Sequence, residues 1–130
     1  MRVGGASIEG LQVPSGPVLV ADQLPDSNPI KKVSMGFRAA YQKVNGAAPT
    51  DAFSSYTYDA YLLLADAASR TKGEPGTPQY RTALRDAIVS TKELVGTHGI
   101  YTFKPDDRYG SDQRGVVIVQ MTKGQWKLVP

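Results

Sequence analysis

Several side chains in this 130-residue sequence could do chemistry, and each has a spacing that tests the idea. Asp59 and Asp66 stand seven residues apart. On a helix that is two turns, about 10 Å along the axis, near the carboxylate separation of an inverting glycosidase. Nothing else in the sequence supports that chemistry, and the expectation is a solvated polar stripe. Asp106, Asp107 and Asp112 cluster in a glycine-containing loop that invites a Ca²⁺ reading. A calcium loop of the EF-hand kind needs ligands at alternate positions and a closing Glu, which this loop lacks. His98 is the one histidine. It has no Ser or Cys partner at a recognisable spacing for nucleophilic catalysis, so it is expected to hydrogen-bond within a turn. Glu9, beside Gly10, is either a ligand-facing acid or a solvated loop charge. Trp126 and Tyr101 could stack on a sugar or base, but hairpin and core packing suit them better. Neither GxGxxG nor GxxxxGK[ST] occurs, so no phosphate-cradling loop is visible.

Composition removes further classes. There is no cysteine, hence no disulfide scaffold, iron–sulfur site or thiol nucleophile. A single histidine excludes any site needing two. Fifteen Lys and Arg against twelve Asp and Glu leave a charge of +3. The basic residues are scattered, with Lys31-Lys32 the longest run, whereas nucleic-acid binding calls for a concentrated basic face. No apolar run reaches the ~18 residues of a membrane span. The first ten residues hold no apolar signal core, which implies a cytoplasmic chain or a true start lying elsewhere. At 14.0 kDa, area scaling gives roughly 20,000 Å² unfolded and about 6,700 Å² folded, enough burial for one domain with a real core.

The elements that would position these residues follow from periodicity and punctuation. Gly and Pro dominate residues 1–29, leaving two short apolar pieces, 10–13 and 18–21, that read as strands. A first helix begins at Asn28 or Ser27, Asn28 being a good cap; Pro29 fits its first turn, and Gly46 stops it. Ile30, Val33, Phe37, Tyr41 and Val44 form its apolar stripe. A second helix is expected over 55–71. It is apolar on two faces, with only Asp59, Asp66, Ser69 and Arg70 as a polar strip. A third begins at Thr77 and Pro78, buries Tyr80, Leu84, Ala87 and Ile88, and ends near Lys92. Ile100, Tyr101 and Phe103 suggest a short strand. The tail reads as a hairpin, Val116 to Met121 returning through Lys123-Gly124 to Gln125–Val129.

One part of an α/β domain is missing from this inventory. Helices two and three have no strand between them, and only Phe53-Ser54-Ser55 precedes the second. A helix apolar on two sides must be covered on both. The physical expectation is therefore a part of a larger fold, or a chain that finds its sheet in a partner.

The order of these signals resembles the C-terminal part of the type I periplasmic binding proteins, the solute-binding components of ABC importers for branched-chain amino acids and related carboxylates. The matching pieces are IEGLQVPSGPVLVADQLPDSNP, FRAAYQKVNGAAP, YTYDAYLLLADAA, RTALRDAIVSTKELVGTHGIYTF and VVIVQMTKGQWKLV, five segments in order over nearly the whole chain. The resemblance implies an α/β fold of two lobes joined by three crossings, with a ligand held in the cleft by lobe closure. Residues 1–51 would end a second-lobe segment, 52–113 form a first-lobe helical segment, and 114–130 return across the hinge as a hairpin. A full member is more than twice this length, so the chain would start inside the second lobe as a truncated fragment.

The implied function is capture of an amino acid or small carboxylate without chemistry, so the chain is not expected to be an enzyme. The implied partner is a membrane permease, and the implied place is periplasmic or extracellular and lipid-anchored. A ligand-sensing regulatory domain of the same fold is the alternative. No cofactor, metal or nucleic acid is implied. Phe53 matches a pocket-lining aromatic of the family, with Ser54 and Tyr56 beside it. Most gripping loops of the family match no residue here, so the chain alone is expected to bind free amino acids weakly and to self-associate through its second helix.

Overall fold

The computed structural model describes residues 4–130. Asn28 and Pro29 open its first long helix, α1 (Pro29–Asn45). The Asn28 side chain accepts the Ile30 N–H at 3.0 Å, satisfying a first-turn donor that has no partner within the helix. Gly46 ends α1 at φ 77°, a left-handed conformation that costs glycine little. Ile30, Ser34 and Phe37 are buried along it. Val44, expected on the same stripe, is 82% exposed because the last turn projects beyond what α1 packs against.

The apolar piece at 18–21 is not a strand. It lies in a 3-10 segment, Pro17–Gln23. Pro17 fixes a helical φ at the first position, and the turn closes i to i+3, with Leu19 N–H donating to Gly16 O. Val18, Val20 and Ala21 are all buried, so the run is apolar because it is enclosed, not because it alternates in a sheet.

Helix α2 (Phe53–Arg70) starts two residues earlier than expected. The Asp51 side chain accepts the Phe53 N–H at 2.8 Å and extends the helix to that point. Helix α3 (Pro78–Val89) starts as expected, with Thr77 Oγ1 accepting the Tyr80 N–H, and ends three residues before Lys92. Arg70 locks the two helices together. Its guanidinium donates to Asp66, to Ala87 O and to Thr91 Oγ1 at 2.7, 2.9 and 3.1 Å.

Strand β1 (Gln12–Ser15) pairs antiparallel with β4 (Val117–Thr122), which pairs antiparallel with β5 (Gln125–Leu128), in the order β1-β4-β5. Val119 and Met121 on β4 are buried. The turn is Lys123-Gly124, with φ values of 50° and 74°, as a two-residue hairpin of type I′ requires. Glu9 accepts the Lys123 N–H at 2.7 Å, so its carboxylate braces this turn. A second ladder joins β2 (Leu94–Val95) to β3 (Ile100–Tyr101) around the loop that carries His98.

The elements pack in two groups. Strands β1, β4 and β5, the 3-10 segment and α1 form one; α2 and α3 form the other, to which hydrogen bonds from Thr97, His98 and Tyr101 to Asp59 tie the β2–β3 hairpin, while β2 also packs on α1. They meet through the Ser34 hydroxyl, which donates to Thr97 O at 3.3 Å, and through the Phe37 and Tyr58 rings, 5.0 Å apart. The chain exposes 8637 Å², about 1,900 Å² more than area scaling gives a self-contained protein of this mass. Phe53, Tyr56, Tyr61 and Leu64 on α2 are part of that excess. The two-sided apolarity of α2 is thus left partly uncovered.

Candidate ligand-binding cleft

A cleft of about 600 Å³ lies where the two groups adjoin. Pro14, Ser15 and Gly16 line it from the end of β1. Tyr56, His98 and Tyr101 line it from α2, the β2–β3 loop and β3, and Tyr109 and Ser111 from the loop that leads to β4. Its wall combines aromatic faces with a few polar groups, the usual composition of a small-molecule site.

The wall is built on one buried carboxylate. Asp59 is 2% exposed. It accepts hydrogen bonds from Thr97 N–H at 2.7 Å, Thr97 Oγ1–H at 2.8 Å, His98 N–H at 2.9 Å and the Tyr101 hydroxyl at 2.8 Å. The expectation that Asp59 forms a solvated stripe with Asp66 is therefore corrected. Asp59 faces the β2–β3 loop, whose converging donors replace water, while Asp66 pairs with Arg70 at the surface. A buried carboxylate persists only with such compensation. Burial raises the Tyr101 hydroxyl well above the ordinary phenol range, and its hydrogen bond to Asp59 raises it further.

His98 does have a serine partner, 43 residues away in sequence. Nε2 lies 2.6 Å from Ser55 Oγ and 3.1 Å from Ala52 O. Ser55 Oγ donates to the same Ala52 carbonyl at 2.6 Å. The arrangement is not a catalytic triad: Asp59 binds the His98 backbone N–H, not the ring, and Ser55 is fully buried. The imidazole stacks on Tyr56, with centroids 3.9 Å apart and planes 12° from parallel. Burial lowers the His98 pKa below its ordinary value, against smaller upward pulls from the Ala52 carbonyl and the Asp59 charge.

Of the three residues singled out by resemblance, Tyr56 lines the cleft. Phe53 projects outward, 76% exposed, and Ser54 keeps a buried hydroxyl without a hydrogen-bond partner. Asp112 also reaches the cleft wall, but its carboxylate holds Arg114 at 2.7 Å, and Arg114 reaches on to Glu93 at 2.8 Å. Hydrogen bonds from Arg114 hold both carboxyls below their usual range. Asp107 shapes its own turn by accepting from Tyr109 N–H. Among the described residues no three His, Cys, Asp or Glu side chains converge as a metal site. Trp126 lies opposite Met121 in the terminal hairpin.

Sequence reasoning missed Asp59, Gly16 and Tyr109 as wall-builders. One signal was present for the first: Ser55 and Asp59 lie four apart, a polar pair on one face of an otherwise apolar helix.

No protein-family model matches the chain, and no curated protein does. Solved structures do. An extracellular ligand-binding receptor from Rhodopseudomonas palustris is 32% identical and superposes with a TM-score of 0.89, over 99% of this chain and 36% of its own. A branched-chain amino acid ABC transporter protein from Rhodospirillum rubrum is 27% identical with a TM-score of 0.66, over 98% and 33%. An ABC transporter substrate-binding protein from Desulfitobacterium hafniense, solved in complex with Leu, is 26% identical with a TM-score of 0.61, over 95% and 32%. The chain spans about a third of the length of each.

Proposed function

We propose, from the premise that this chain carries part of a type I periplasmic-binding-protein fold, that it is part of a solute receptor capturing a small molecule by closure of two lobes over the cleft described above. The observation that carries this reading is the position of the cleft. Pro14 to Gly16 belong to one packed group and Tyr56, His98 and Tyr101 to the other, so a relative movement of the groups changes the cleft's width. The likeness to extracellular ligand-binding receptors and ABC-transporter binding proteins supports the same reading.

In finer terms, the ligand is an amino acid of the branched-chain type or a related small carboxylate. The receptor acts outside the cytoplasm and delivers to a membrane permease, without chemistry on the ligand. Residues 1–51 and 114–130 would belong to one lobe and 52–113 to the other. Tyr56 faces the ligand directly, and Phe53 and Ser54 do so once the cleft is completed by further polypeptide. The uncovered apolar face of α2 also supports self-association of the isolated chain, which light scattering reads directly.

The test is an NMR titration of the chain with leucine, valine and benzoate. Shifts concentrated at Tyr56, His98, Tyr101 and Tyr109 support the reading, even at millimolar affinity. Spectra unchanged by every ligand, or shifts confined to α3 and the terminal hairpin, overturn it.

A further inference from the structure

Neutral His98 fits its place in only one way. The Ala52 carbonyl can only accept, and the Ser55 hydroxyl already donates to it. The imidazole hydrogen therefore sits on Nε2, pointing at Ser55 Oγ and Ala52 O, and Nδ1 is bare. Nδ1 faces Gly16, across the junction between the two packed groups. A Cβ on Gly16 would stand 2.1 Å from Nδ1, so the contact leaves no room for a methyl group. The neighbouring residue Thr97 receives the Ser34 hydroxyl from α1. One short loop thus makes two of the contacts that join the groups.

Protonation would add a hydrogen to Nδ1 on this crowded side. The new charge would meet no uncommitted acceptor side chain. On α2, the Asp59 charge and the stacked Tyr56 ring face both attract a cation, but less than burial disfavours it, and the Asp59 oxygens are already committed to four donors. On β3, the Tyr101 hydroxyl donates to Asp59. On the loop before β4, Asp112 holds Arg114, and Tyr109 is uncharged. Pro14, Ser15, Gly16 and Pro17 bring no charge from the other group, and neither does Ser34 from α1. His98 is also the only side chain of the sequence whose ordinary titration falls between about pH 5 and 8.

We propose that His98 is a proton-sensitive latch between the two groups of elements: as neutral imidazole it seats against Gly16 and holds them together, and as imidazolium it leaves that seat and lets them part. The device does not depend on which ligand the cleft takes, or on whether it takes one.

The test measures a distance against pH. The chain has no cysteine of its own, so Lys43→Cys on α1 and Arg81→Cys on α3, both exposed positions, can carry spin labels in the full chain. Pulsed electron resonance is expected to show the distribution moving to longer distances between about pH 8 and pH 5. Its midpoint should coincide with the His98 imidazole titration followed by ¹⁵N NMR. His98→Gln can still donate to Ser55 but cannot take a charge, so it should hold the shorter distance throughout. Gly16→Ala should give the longer distance even at the alkaline end. A distribution that ignores pH overturns the proposal. So does a midpoint away from that of His98, or the same shift in His98→Gln. If either variant fails to fold, the coincidence of midpoints in the parent sequence decides.

Discussion

The Tyr101 hydroxyl donates a 2.8 Å hydrogen bond to Asp59, a carboxylate on α2 that is 2% exposed and 42 residues away in sequence. The bond ties β3 to α2, while the other donors to Asp59 tie down the loop between β2 and β3. One buried charge therefore fixes both the imidazole and the phenol on the cleft wall.

Removing it should be costly. Asp59→Ala strands several buried donors at once, each worth about 1–3 kcal/mol when left unpaired. The expected loss is at least ~3 kcal/mol in urea unfolding. Asp59→Asn keeps the shape but turns an NH₂ towards N–H and O–H donors, so it should recover less than half of that loss. A change below ~1 kcal/mol for Asp59→Ala would show that the network is not supporting the fold.

Gly96 sits against the same pair. A Cβ there would stand 2.5 Å from Asp59 Oδ2 and 2.7 Å from the Tyr101 ring. Gly96→Ala should destabilise by about 1–3 kcal/mol, the range for overpacking a filled interior. Near-ultraviolet circular dichroism should report a changed tyrosine environment, while the far-ultraviolet spectrum keeps its helix content.

Stability should fall on mild acidification. Burial depresses the His98 pKa in the folded state. Above its unfolded value of about 6.5 the group is neutral in both states and contributes no pH dependence. As pH drops below that value the unfolded chain takes up the proton first, and stability declines until pH has passed the lower, folded value. Thermal melts between about pH 7.5 and 5 should show this slope, and His98→Gln should flatten it.

Gln23 guards the edge of the three-stranded sheet. Its carboxamide donates to Trp126 O at 3.1 Å and accepts from Leu128 N–H at 2.9 Å, as a neighbouring strand would. At the opposite edge, Pro14 interrupts β1 with a residue that has no N–H to offer. Gln23→Leu should cost about 1–2 kcal/mol and make the chain more prone to edge-to-edge association. Light scattering at rising concentration should show more of this in the variant than in the parent sequence.

What the sequence determined by itself was local. Asn28, Pro29 and Gly46 mark the ends of α1, and Thr77 and Pro78 the start of α3, because capping and φ restriction act over a few residues. The Lys123-Gly124 turn and the apolar run before it define the terminal hairpin for the same reason. The two-sided apolarity of α2 was also legible, and much of that surface is indeed left open. The tertiary structure decided everything that depends on distant partners. A carboxylate at position 59 reads as a surface charge until the 96–98 loop brings three donors to it and β3 a fourth, and a lone histidine has no partner until Ser55 arrives from 43 residues away. Val18 to Ala21 reads as a strand by composition; Pro17 starts a 3-10 segment there instead, and packing encloses Val18, Val20 and Ala21. Periodicity says which face is apolar, but only packing says what that face meets.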